Sequence, residues 1–190
     1  MTTSRRFCRF NPDPAYSIAI RELPADGFCL SAFLLLTSPE HPGAVLLGHA
    51  DPSANWEEVG ALDPGQVAHI QDRWMLPSSQ LLLGESPVQA AARIASEQLD
   101  LGSLPLEGPT VYSEVYGSAR RPELTQHWDL HFVFRGRWPE GRPVRARAWR
   151  ELAWVDAEAT PGAQFARGHQ DVLSLAGLRG PGGPGGRAQA

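Results

Sequence analysis

Lysine is absent from this chain: all 17 basic residues are arginine. That absence excludes Schiff-base catalysis, a lysine-dependent phosphate loop and any lysine general base. It accompanies abundant alanine, glycine, proline and leucine, and reads as coding bias. Cysteine is scarce too. Cys8 and Cys29 stand alone, with neither a CxxC pair nor a histidine cluster nearby. They read as buried thiols of a reducing cytoplasm, with a single disulfide as the alternative. Long apolar runs are also missing. The start, MTTSRRFCRF, has no signal-peptide core, and the longest apolar stretch, Ala32 to Leu36, is far too short to span a bilayer. The expectation is a soluble cytoplasmic protein with no membrane partner. Nor is there an excess of positive charge. A net charge of -4 argues against bulk capture of nucleic acid.

What is present suffices for one domain: 190 residues, 42% of them hydrophobic. Residues 1–27 form an N-terminal extension punctuated by proline, with one apolar alternation, Tyr16 to Ile20, that fits a strand. Phe28 to Leu36 is apolar on both faces and predicts a central strand, with Ala44 to His49 as its hairpin partner. Residues 51–67 read as a loop-rich insertion around Trp56. Further strands are expected at Trp74–Leu76, Thr110–Tyr116, His127–Trp138 and Trp149–Val155, and a last helix over Phe165–Leu175. The domain is expected to end at residue 176. The tail, 177–190, has no apolar anchor after Leu178 and is expected to be disordered. About six strands and two helices in this order predict a mixed α+β or α/β sandwich.

The segment from Pro77 to Leu101 carries the most information. Ser86-Pro87-Val88-Gln89 is a helix start, with a capping serine, proline at the first helical position and glutamine completing a capping box. Val88, Ala92, Ala95 and Leu99 recur at helical spacing and predict the buried face. Arg93 and Glu97 lie one turn apart, which on composition alone reads as a solvated pair. Glu85, just before the cap, is placed to reach Arg93 through a bent loop.

This segment resembles the Nudix box: glycine, five residues, glutamate, seven residues, then Arg-Glu-U-x-Glu-Glu-x-Gly-U, where U is a bulky aliphatic residue. Glu85, Arg93, Glu97 and Leu101 fall in register, and Ala95 is an undersized first U. Leu76-Pro77 ahead of the box, Gly84, Ser86-Pro87 and Ala91-Ala92 fit the same context. The departures are Ser79 for the first glycine, Ile94 for the glutamate after arginine, Gln98 for the second paired glutamate and Asp100 for the last glycine. The resemblance covers roughly residues 28–175. It implies an αβα sandwich with a mixed central sheet, and hydrolysis of a nucleoside diphosphate-linked or other organic diphosphate. Mg²⁺ or Mn²⁺ would neutralise the phosphate oxygens. Glu97, Glu85 and Arg93 become the catalytic candidates, and Glu97, Glu85 and Gln98 the metal ligands. Two of the three carboxylates implied for the helix are gone, which predicts weak or atypical activity. The alternative is a catalytically silent Nudix-like module that binds a nucleotide, a diphosphate ligand or a protein partner.

Other residues compete for a role. Trp56 is a candidate to stack on a base. Arg145 and Arg147 alternate within the arginine-rich stretch 135–150 and suit phosphate, with Trp138 or Trp149 nearby for stacking. RNA binding through that stretch is a third, weaker reading. His169 and Asp171 occupy the late helix, where the resemblance allows a catalytic base; a polar helix face is the plainer reading. His127 and His131 share a strand face without a third ligand, so no zinc site is implied. Glu107, Glu114, Glu123, Asp129, Asp156 and Glu158 read as surface carboxylates. Ile94 on an otherwise polar helix face requires a cover, either the loop with Leu81, Leu82 and Leu83 or a second subunit. A homodimer through residues 1–27 is a further expectation.

Overall fold

The structure, a computed structural model, describes residues 9–10, 28–117, 126–142, 148–166 and 168–180. Strand β2 (Phe28–Ser38) organises it, because its apolar residues are buried on both sides. Ala32, Leu34 and Leu36 face one core, while Phe33 and Leu35 face another. A strand buried on both faces has to lie inside the sheet. β2 pairs antiparallel with β3 (His41–Ala50) and parallel with β6 (Gln126–Arg137), in register from Phe28↔Trp128 to Thr37↔Arg137. With β5 (Leu106–Gly117) and β7 (Trp149–Asp156) at the ends, the sheet order is β5-β6-β2-β3-β7. Two short strands, β1 (Arg9–Phe10) and β4 (Ser78–Gln80), also pair with β2. The sheet is therefore mixed, as expected.

Helix α3 (Pro87–Leu99) covers one face of this sheet. Its start matches the capping prediction: the Ser86 side chain accepts from Gln89 N, and the Gln89 side chain accepts from Ser86 N. Its buried face matches the prediction at Ala95 and Leu99 and differs at Val88 and Ala92. Ala90, Ala91, Ile94, Ala95, Gln98 and Leu99 are inside, while Val88 is 62% exposed and Ala92 is exposed. Alanine-rich sequence supports two overlapping stripes, and counting Gln98 as polar favoured the wrong one.

Two further corrections concern the middle of the chain. Residues 51–67 are not simply a loop. They hold α1 (Trp56–Val59) and the start of α2 (Pro64–Ile70), whose cap Asp63 forms a reciprocal box with Gln66. The expected strand at Trp74–Leu76 is reduced to isolated bridges, Gly48↔Met75 and Trp74↔Phe165, and the pairing strand begins at Ser78.

The opposite face carries α4 (His169–Leu175), shorter than predicted because a 3-10 turn (Gly162–Gln164) and Gly168, at φ 86°, precede it. Val172 and Leu173 insert among Phe33, Leu35, Val45 and Leu47. Packing runs past the predicted boundary at 176. Leu178 joins this core, and the buried Arg179 donates to the carbonyls of Ala157 and Thr160 above the Phe165 ring. The predicted strand at Tyr16–Ile20, Cys8, Glu123, Arg145, Arg147 and residues 181–190 lie outside the described residues, as does the His127 side chain.

Candidate functional site

The loop before α3 is held by one ion pair. Glu85 and Arg93 meet side by side, Nε to Oε1 and Nη2 to Oε2 at 2.8 Å each, with side chains only 10% and 9% exposed. Arg93 also donates to the Gln80 carbonyl at 3.0 Å and to Ser79 Oγ at 3.3 Å. Glu85 Oε2 accepts Leu82 N at 2.8 Å, and Gly84 turns the chain at φ 82°. The guanidinium fork matches the carboxylate, so a single pair joins β4, the loop and the helix. Both oxygens of Glu85 are thus committed to loop architecture. Of the two readings of Arg93 made from sequence, the reach to Glu85 is the one found.

One turn further, at 94, 97 and 98, the helix presents very different chemistry. Ile94 is completely buried in the core beneath the sheet, in the same cluster as Trp56, Val67 and Met75. Gln98 is completely buried as well, and its Nε2 donates to Val59 O and Ser78 O, both at 2.8 Å. Its Oε1 is buried without a partner. Glu97, between them, is partly exposed. Ile94 shares its core cluster with Leu81, from the loop expected to cover it, and with Trp56 of α1.

A hard divalent cation needs several oxygen ligands converging on one point. Isoleucine supplies none. Gln98 points its donors, not its oxygen, at the two neighbouring carbonyls, and an N–H donor repels a cation. Glu85 is taken by Arg93 and Leu82. These residues do not fit Mg²⁺ or Mn²⁺ as they stand. Among the described residues, no group of three or more His, Cys, Asp or Glu side chains is arranged to hold a metal ion.

Trp56 is not available to stack on a base in this structure. It is 2% exposed, its Nε1 donates to Asp51 O at 3.0 Å, and its ring meets Trp149 edge-on with centroids 5.0 Å apart. Trp149 and Trp138 are buried too. The described arginines of the 135–150 stretch do not converge: Arg135 donates to Ala176 O, Arg142 to Asp100 O, and Arg150 pairs with Asp72 on the surface.

His169 is not on a polar helix face. It is buried, and its Nδ1 accepts Leu76 N at 3.0 Å, which fixes the proton on Nε2. Burial, with the nearby charge of His131 adding to it, pushes its pKa down to about 3. Phe33 lies between the two histidines, edge-on to each, and His131 Nε2 is 3.6 Å from Glu114. Two of the other carboxylates serve local structure: Asp156 caps the turn at Glu158 and Ala159, and Glu158 accepts Gly180 N. Sequence reasoning missed the Asp63 box at α2, although its signal, Asp-Pro-Gly-Gln, was present.

No family-level sequence profile matches the chain, and no curated protein is similar to it in sequence at a significant level. Solved structures are similar. The Escherichia coli dihydroneopterin triphosphate pyrophosphohydrolase superposes with a TM-score of 0.53 at 18% identity, covering 77% of this chain and 92% of that one. The Nudix domain of Shewanella oneidensis NrtR, solved in complex with ADP ribose, gives 0.53 at 17% identity, covering 87% and 92%. RenU, a Nudix hydrolase from M. smegmatis, gives 0.50 at 23% identity, covering 82% and 92%. At these identities the likeness concerns architecture, and it is consistent: the chain has the Nudix-superfamily fold.

Proposed function

We propose that this chain is a Nudix-fold module that binds a nucleotide or other organic diphosphate without hydrolysing it through a metal bound on α3. The observation that carries the reading is the state of the 94–98 face. Ile94 is core, and the donors of Gln98 are committed to two carbonyls. Catalysis of diphosphate hydrolysis by a metal requires that charge be neutralised at the phosphate oxygens as water attacks. A face built from an aliphatic group and an outward-donating amide cannot assemble that charge. The ligand class is suggested by the fold, one of whose similar structures was solved with ADP ribose bound.

Weak hydrolysis is the second reading. Glu97 supports it, since it keeps its box position and is partly exposed. A panel of nucleoside diphosphate derivatives, assayed with Mg²⁺ and with Mn²⁺, separates the two. A binding module shows no turnover while ADP-ribose raises the melting temperature. Turnover that Glu97→Gln abolishes would establish the hydrolase instead. Neither turnover nor any melting shift across the panel would remove diphosphates as the ligand class.

A further inference from the structure

The segment over the α3 face is built unlike the rest of the core. Helix α1 has four residues, below the length at which a helix holds itself together, and Asn55 makes no capping hydrogen bond to its start. Asn55 Nδ2 instead reaches Glu58. After the helix, Gly60 lies against the Trp56 ring, where a Cβ would collide with it. Ala61 then sits in the left-handed region at φ 59° while buried, a conformation that costs a non-glycine residue energy. Both Gly60 N and Leu62 N turn back onto Trp56 O, at 2.9 and 3.1 Å.

Trp56 itself is firmly seated, by its bond to Asp51 O and by Trp149. The residues after it differ in burial. Glu57 is exposed, Glu58, Val59 and Leu62 are only partly buried, and the bond from Gln98 Nε2 to Val59 O ties the segment to α3. That tie is incomplete in its own way, because Gln98 Oε1 is buried and unpartnered, a cost borne only while the segment is closed. Gly60 and Ala61 are buried, so the weak points are the exposed Glu57, the strained Ala61 and the tie to a half-satisfied amide, features of the low-stability end of a fold.

We infer that residues 57–62 are a gate, hinged at Trp56 and latched by Gln98, that opens from α3 while the sheet stays folded. Opening frees the Gln98 donor that reaches Val59 O, leaves the one on Ser78 O in the sheet, and gives Oε1 access to water, one residue along the helix from Glu97. The gate therefore governs access to the polar atoms at this end of α3. This holds whether or not the ligand is a diphosphate.

Hydrogen exchange on the full chain tests it, read at the amides of Gly60 and Leu62 and, for the sheet, at Leu34. Gln98→Met keeps the length of the side chain and removes the latch. It should speed exchange at Gly60 and Leu62 by about tenfold, with Leu34 changed by less than about twofold. Ala61→Gly relieves the strain of the closed form and should slow the same two amides by roughly fivefold, again without moving Leu34. It remains informative should Gln98→Met fail to fold. Exchange at Gly60 and Leu62 that tracks Leu34 in either variant would mean global unfolding and overturn the gate. So would exchange there that neither variant alters.

Discussion

The face of the sheet under α3 and the face under α4 both bury polar side chains, yet with opposite chemistry. Under α3 the buried polar group is the Gln98 amide, neutral at every accessible pH, with Ile94 beside it on the helix. The ionised pair stands at the rim, where Arg93 and Glu85 neutralise each other. Under α4 the buried polar groups include His131 and His169, which flank Phe33, with Glu114 within reach of His131. Inside, one face buries an amide that carries no charge. The other loses stability when His169 takes up a proton. Where the box pattern that this segment resembles has glutamates, Ile94 and Gln98 instead meet packing demands that a carboxylate cannot.

The largest effect expected falls on the rim. Arg93→Ala takes the guanidinium away from a Glu85 side chain that is nine-tenths buried, and should cost roughly 3–5 kcal/mol of stability. Urea denaturation measures it. A loss of under about 1 kcal/mol would place this pair with ordinary surface ion pairs and erase the contrast between rim and interior.

The second effect belongs to the α4 face, and its direction is set by sign. His169 has a folded pKa of about 3, below the ordinary value of 6.5, so the unfolded chain takes up a proton that the folded chain refuses. Its contribution is complete above about pH 6.5 and declines as pH falls from there toward 3, by roughly 1.4 kcal/mol per unit. The groups facing it or lying close by are His131, Glu114 through His131, and Asp171 on its own helix. His169→Asn, which keeps an acceptor near Leu76 N, should flatten the slope between about pH 6 and 4. An unchanged slope in that variant would assign the acid sensitivity elsewhere.

Much of the fold was legible in the sequence, and particular residues show why. The two-sided apolar run of β2 and the Ser86-Pro87-Val88-Gln89 start of α3 are signals in which local chemistry decides the outcome. Asp100 was legible in part: the box pattern expects glycine there, and Asp100 does take the left-handed conformation, at φ 58°. The candidate site was legible only as spacing. The sequence placed 94, 97 and 98 on one helix face, but whether that face meets solvent depends on α1, whose Val59 lies 39 residues before Gln98 and which has no strong helical period of its own. For the same reason Trp56 read as an exposed stacking ring and proved to be core. His169 was misread because burial of a histidine depends on a distant hydrogen-bond partner, here Leu76 N, 93 residues away.

The smallest shift is the most telling. A packed 94–98 face predicts that the melting temperature of the wild-type chain is the same in millimolar MnCl₂ as in EDTA, and that the two values also coincide in Glu97→Gln. A Mn²⁺-dependent rise of several degrees that Glu97→Gln removes would show that the face still holds a metal, and would contradict the reading of Ile94 and Gln98 as structure.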